Sequence, residues 1–96
     1  MSSITIDELL PMIDKVNIID IRNSQSYNNN HIKGAINIPF EKLIVSPSNY
    51  LNPLKKYFIY CRCGITSKKA CQILSNYGYK VVNIDGGYEA WILKND

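Results

Sequence analysis

The sequence predicts an α/β fold, a three-layer sandwich in which a short, mostly parallel central sheet carries helices on both faces. Short runs rich in β-branched residues recur along the 96-residue chain, and segments with helical periodicity or capping signals lie between them. Ninety-six residues can bury a modest core without disulfides or metal. We therefore expect residues 1–96 to form a single domain, with no internal repeat or linker.

Local signals predict the elements in order. Thr5 and Glu8 fit a capping box, so a short helix should run to about residue 13, although Pro11 can distort it. The remaining predicted elements are strands at 17–21, 35–38, 57–60 and 81–84, a helical turn at 23–27, and helices at 40–44, 67–77 and 88–93. Ligands bind at the carboxyl ends of parallel strands, so the chain near Asp20 and near Cys61 should meet at one edge of the sheet.

One strand–loop–helix passage carries the chemistry. The apolar run 57–60 ends at Cys61, a loop containing Gly64 follows, and Ser67 is a good N-cap for the helix after it. Backbone N–H groups of such a loop form a nest for negative charge. The nest favours thiolate over thiol, and thiolate is the reactive nucleophile. The alternative, a buried structural thiol at a strand end, stays open.

Charge and composition limit the partners. The formal net charge is +3 and the basic residues are scattered, which argues against nucleic-acid binding. Lys68 and Lys69 either belong to a solvated helix face or attract acidic donors or partners to the Cys61 loop. The N-terminus does not look like a signal peptide, and no segment is apolar enough to span a membrane. Three cysteines without zinc-finger spacing fit a reducing compartment, so we expect a cytoplasmic monomer that uses neither metal nor cofactor.

Four stretches resemble the single-domain rhodanese-like sulfurtransferase family. They are DIR at 20–22, HIKGAINIP at 31–39, CRCGITS at 61–67 and DGGYEAW at 85–91, in the family's order and spacing. The resemblance implies that Cys61 accepts a sulfane sulfur from thiosulfate or a persulfide and passes it to cyanide or a thiol. The donor would be a small molecule or a persulfidated protein.

The resemblance also implies roles for the residues around Cys61. The backbone amides expected to hold the anionic sulfur belong to the substrate-binding residues Arg62, Cys63, Gly64, Ile65 and Thr66. Support for the loop is expected from Asp20 and Arg22 on the neighbouring strand and from Ser67. The pair Asp20–Arg22 is interpreted as structural rather than catalytic. Gly86, Gly87 and Trp91 would shape the closing helix.

Two departures from the family pattern leave alternatives open. Thr66 stands where many members carry arginine, and the loss of that positive charge would weaken thiosulfate capture. Cys63 stands where many members carry serine. Cys63 is therefore either a partly exposed spectator or a redox partner that attacks a Cys61 persulfide. The competing functions are a non-catalytic binding or regulatory module, a thiol redox carrier, and a cysteine-dependent phosphatase or arsenate reductase of the same fold. A phosphatase loop would close on an arginine, and here that position is Ser67.

The other notable side chains have simpler interpretations. Cys71 falls beside the apolar positions of its helix and is expected to be a buried small hydrophobe. His31 is expected to be a hydrogen-bonded loop residue rather than an acid or base. Tyr27, Tyr50 and Tyr88 are placed where they could rim the pocket.

Overall fold

The computed structural model describes residues 2–94 and contains five strands alternating with helices. The strands are β1 (Ser2–Ile4), β2 (Asn17–Asp20), β3 (Ile36–Asn37), β4 (Lys56–Tyr60) and β5 (Lys80–Ile84). The helices are α1 (Ile6–Leu9), α2 (Ser24–Asn29), α3 (Phe40–Val45), α4 (Ile65–Asn76) and α5 (Gly87–Lys94), and 3-10 turns follow α1 and α3 at Leu10–Met12 and Pro47–Asn49. None of the described helices is long and apolar enough to cross a membrane.

All four strand pairings in the described sheet are parallel, and the strand order is β1-β5-β4-β2-β3. Asp20 pairs with Tyr60 in register, so β2 and β4 end side by side. The chain after β4 therefore turns away at the same edge at which Asp20 and Arg22 lie. This confirms the predicted meeting of the two strand ends.

The sheet is covered on both faces because successive side chains alternate between two hydrophobic clusters. Tyr57 and Ile59 of β4 pack with residues of α3 and α4, including Leu43 and Leu74. The intervening β4 side chains pack on the opposite face with residues of α1 and α5. Period-two alternation in a strand buried on both sides produces this division, and the three-layer prediction is confirmed.

The capping box at the start of α1 is confirmed, because the Thr5 hydroxyl accepts from the Glu8 N–H and the Glu8 carboxylate accepts from the Thr5 N–H. The α-helix is shorter than predicted, and Pro11 lies in the 3-10 turn that continues it. The strand β1 was not predicted. It has one apolar residue in three positions, and its ordering depends on pairing with β5.

Candidate functional site

The loop after β4 reaches helix α4 through a left-handed glycine. Gly64 has φ of 99° and is the N-cap of α4, which begins at Ile65. The prediction that Ser67 caps this helix is wrong, because Ser67 lies in the first turn with its side chain fully buried. A left-handed residue costs glycine little, so the turn into α4 is completed without a side-chain cap. The first-turn N–H groups consequently point back toward the end of β4.

The sulfur of Cys61 lies inside this turn and is held by backbone donors. Its Sγ accepts from the Gly64 N–H at 3.2 Å and from the Ser67 N–H at 3.3 Å. The thiol is 3.4 Å from the Ser67 hydroxyl, to which it donates in its neutral form. The sequence placed the amides at residues 62–66; the Ser67 amide lies outside that span and is a donor that sequence reasoning missed.

Helix α5 fixes the other side of the loop. The N–H groups of Tyr88 and Glu89 donate to the carbonyls of Cys61 and Arg62, each at 2.9 Å. Because the C=O and N–H of a trans peptide point in opposite directions, these bonds turn the Cys63 N–H away from α5. Gly87 makes the approach possible, since a Cβ there would lie 2.3 Å from the Cys61 carbonyl oxygen.

These contacts set the ionisation of Cys61. Burial raises the pKa of the Cys61 thiol, but hydrogen bonds from the Ser67 hydroxyl and from the N–H groups of Ser67, Gly64 and Cys63 lower it by more. The net pKa lies below that of a free thiol. The side chain is 6% exposed, so the site combines a thiolate-favouring environment with little contact with water.

Asp20 and Arg22 form the expected ion pair beside the loop. The Arg22 guanidinium donates to both Asp20 carboxylate oxygens, at 2.8 to 3.2 Å, and also to the Asn30 carbonyl. Its carbon lies 4.1 Å from the ring centre of Tyr88, the residue whose N–H holds the Cys61 carbonyl. Tyr60 donates to Asp20 at 2.6 Å, so the fully buried carboxylate is satisfied from two sides. The pair therefore reaches the Cys61 loop indirectly, through Tyr88.

A pocket of about 400 Å³ opens over Cys61. Among the predicted site residues, those that line it are Arg22, Cys61, Arg62, Cys63 and Thr66. Gly64 and Ile65 instead line an adjoining pocket, together with Lys68 and Lys69. Arg62 forms an exposed ion pair with Glu89 and points out of the loop. Asn23, Ser26 and Tyr88 also line the Cys61 pocket, and the first two were not singled out in the sequence because they belong to a short polar helix with no distinctive motif.

The other two cysteines differ sharply in accessibility. Cys63 is half-buried and lies at the boundary of both pockets. Cys71 is fully buried, as predicted, and burial, together with the nearby Cys61 charge, raises its pKa to about 12. Cys71 is therefore not a competing nucleophile at neutral pH.

His31 and the tyrosines are mostly structural. The His31 Nδ1 is 2.9 Å from the Tyr27 carbonyl oxygen, and its ring stacks on the Tyr27 ring with centroids 3.9 Å apart, which confirms the loop-histidine interpretation. The Tyr27 hydroxyl donates to the Ala35 carbonyl. Of the three tyrosines placed near the pocket, Tyr88 lines it, whereas Tyr27 and Tyr50 do not.

Comparisons with known proteins agree with this architecture. Residues 5–94 match the family model described as the rhodanese-like domain. Thiosulfate sulfurtransferase GlpE of Shewanella oneidensis is 36% identical over 93 residues, covering 92% of this chain and 89% of the relative. A rhodanese-like domain protein from Staphylococcus aureus is 34% identical with a TM-score of 0.86, covering 95% of this chain and 91% of that one. A rhodanese-related protein from Thermoplasma volcanium is 30% identical with a TM-score of 0.89, covering 98% and 93%. The fold and the resemblance read from the four sequence stretches are both confirmed, and the chain belongs to the family of rhodanese-like domains.

Proposed function

We propose that this protein is a sulfurtransferase that carries sulfane sulfur on Cys61. With thiosulfate as donor, the Cys61 thiolate attacks the outer sulfur, the S–S bond of thiosulfate breaks, and sulfite leaves with the bonding electron pair. Cys61 then carries a persulfide with a negative terminal sulfur. In the second step a thiophilic acceptor such as cyanide attacks that sulfur, and Cys61 leaves as thiolate while thiocyanate is released.

The observation that carries the proposal is the arrangement of N–H donors around the Cys61 sulfur at the end of β4. Sulfur transfer requires a thiolate and stabilisation of an anionic sulfur, and preorganised backbone dipoles in a site with little water supply both. No separate general base is needed in this mechanism, because the same hydrogen bonds lower the Cys61 pKa and favour the thiolate. The named activity of the Shewanella relative supports the same chemistry.

The pocket charges favour a singly charged sulfur donor over a doubly charged one such as thiosulfate. Arg22 is committed to Asp20, and Arg62 lies in an ion pair with Glu89 on the surface. Thr66 supplies a neutral hydroxyl where an arginine would supply charge. We therefore expect a low-molecular-weight persulfide to load Cys61 more efficiently than thiosulfate does.

The test is the intact mass of the protein after incubation with thiosulfate or with a low-molecular-weight persulfide. We expect a gain of one sulfur atom, which cyanide removes with formation of thiocyanate. Cys61→Ser should abolish the gain. The matched controls Cys63→Ser and Cys71→Ser should retain the added sulfur, because Cys61 is the thiol whose sulfur accepts the hydrogen bonds from the loop N–H groups.

Other results would identify the alternatives. Failure of both donors to add sulfur to Cys61 would refute the proposal and favour a non-catalytic binding module. Hydrolysis of an aryl phosphate that depends on Cys61 would instead indicate a phosphatase. Loss of sulfur transfer in Cys63→Ser, with a Cys61–Cys63 disulfide in the wild type, would indicate redox chemistry between the two thiols.

A further inference from the structure

A buried hydrogen-bond chain leads away from the Cys61 sulfur and is not part of the backbone nest. The Ser67 hydroxyl is 2.5 Å from the Asn83 side-chain oxygen, and the Asn83 amide nitrogen donates to the Asp85 carboxylate at 3.0 Å. Ser67 and Asn83 are 0% and 1% exposed. They come from the first turn of α4 and from the sheet strand β5, so the chain joins two elements directly beneath the sulfur.

The direction of each hydrogen bond in this chain is fixed by chemistry. A carboxylate only accepts, so Asp85 holds the NH₂ of Asn83 and turns the Asn83 oxygen toward Ser67. Ser67 has a single hydroxyl proton, and three groups compete for it: the Asn83 oxygen at 2.5 Å, the Gly64 carbonyl at 3.2 Å and the Cys61 sulfur at 3.4 Å. The shortest contact is the one to Asn83.

We propose that Asn83, oriented by Asp85, is a positioning residue that competes with the Cys61 sulfur for the Ser67 proton. In the thiol form all donors are used, because Cys61 donates to Ser67, Ser67 to Asn83, and Asn83 to Asp85. In the thiolate form the Ser67 hydroxyl must rotate toward the sulfur, which leaves the buried Asn83 oxygen without its donor. Asn83 therefore holds back the ionisation that the backbone N–H groups promote.

Several charged and titratable groups surround Cys61. They are Asp20 and Arg22 at the end of β2, Tyr60 at the end of β4, Arg62 and Cys63 in the loop, Cys71, Lys68 and Lys69 on α4, Asp85 after β5, and Tyr88 and Glu89 in the first turn of α5. The substitutions below leave all of these groups except Cys63 in place. The Cys63 change is common to every variant compared. Asp85 loses its Asn83 donor with and without Ser67, so the difference between the Ser67 and Ser67→Ala backgrounds reports the proton of Ser67.

The experiment measures the pH dependence of Cys61 alkylation by iodoacetamide, in a Cys63→Ser background in which Cys71 is protected by burial. Asn83→Leu keeps the branched shape of asparagine and removes the competing oxygen. We expect the apparent pKa of Cys61 to fall by about half a unit to one unit, and the alkylation rate below that pKa to rise about threefold to tenfold. Asn83→Ala should also lower the apparent pKa of Cys61. Urea unfolding of both variants verifies that they are folded.

A double-mutant cycle with Ser67→Ala separates positioning from a general structural effect. If Asn83 acts through the Ser67 proton, Asn83→Leu should leave the Cys61 pKa unchanged in the Ser67→Ala background. An equal shift in both backgrounds, or an unchanged or raised pKa in Asn83→Leu alone, would overturn the proposal. The readout follows ionisation of Cys61 and not sulfur transfer, so it stands or fails independently of the proposed function.

Discussion

Gly87→Ala should disrupt the Cys61 loop although residue 87 contributes no side chain to it. The added Cβ would lie 2.3 Å from the Cys61 carbonyl oxygen and 3.0 Å from that of Arg62. Both carbonyls accept hydrogen bonds from the first turn of α5, so the helix and the loop are already in close contact. Because backbone atoms cannot move aside as a flexible side chain can, the substitution must push α5 away from the loop.

The cost has two parts that a matched control separates. Gly87 has φ of +57°, and an L side chain in this region costs about 1–2 kcal/mol. Overpacking against backbone adds about 1–3 kcal/mol. Gly78 has φ of +92°, and a methyl group added there would meet nothing within 4 Å, so Gly78→Ala should show the backbone strain alone. We expect a loss of about 2–5 kcal/mol in the free energy of unfolding for Gly87→Ala, against about 1–2 kcal/mol for Gly78→Ala.

Urea unfolding measures the stabilities, and the pH dependence of Cys61 alkylation measures the loop. Retraction of α5 would release the Cys61 and Arg62 carbonyls, and with them the Cys63 N–H that lowers the Cys61 pKa. The alkylation curve of Gly87→Ala should therefore move to higher pH, whereas that of Gly78→Ala should not move. Equal destabilisation of the two variants, with matching alkylation curves, would refute this account of the loop.

Three further changes test separate parts of the structure. Tyr60→Phe leaves the buried Ile32 N–H without an acceptor and removes a hydrogen bond to the Asp20 carboxylate. It should lower the free energy of unfolding, measured in urea titrations, by about 2–4 kcal/mol. The control Tyr57→Phe loses one hydrogen bond between neutral groups and should lower it by about 1 kcal/mol. Arg62→Ala breaks only an exposed ion pair, and a change of more than about 1 kcal/mol would contradict that assignment. Because the pKa of Cys71 is raised to about 12, the unfolded chain loses this proton first, so stability should fall by about 1 kcal/mol between pH 9 and 10. Cys71→Ala should remove that dependence, and an unchanged slope would show that Cys71 is not its source.

The sequence was most informative where a local pattern and the final packing agree. The continuous apolar run at 57–60 predicted a buried strand, and strand ends in a parallel sheet meet at one edge, so the proximity of Asp20 and Cys61 followed from topology. The hydrogen bond from Tyr60 to Asp20 could not be predicted in the same way. It joins residues 40 apart in the chain, a tyrosine is compatible with either an apolar or a polar environment, and nothing near Asp20 in the sequence indicates which donor its carboxylate will meet.

The start of α4 was misplaced because two signals compete in the sequence. Serine is a strong N-cap residue, and nothing local shows that its hydroxyl is used elsewhere. In the structure, Ser67 is drawn into the interior by Asn83, a residue 16 positions away, and Gly64 completes the turn instead. The error therefore arises because a tertiary contact overrides a local preference, and the same Ser67 hydroxyl also contacts the Cys61 sulfur.

The glycines show why the candidate site can be predicted only in part from the sequence. Gly34, Gly64, Gly78, Gly86 and Gly87 all have positive φ, so conformational preference does not distinguish them. A Cβ would meet nothing within 4 Å at Gly34 or Gly78, but it would meet the backbone of another segment at Gly64 and at Gly87. The first pair serves turns, whereas the second pair lets the Cys61 loop lie directly against the segment that begins α5. Backbone N–H groups supply most of the hydrogen bonds that lower the Cys61 pKa. That environment therefore depends strongly on the close backbone contacts that positions without a side chain allow.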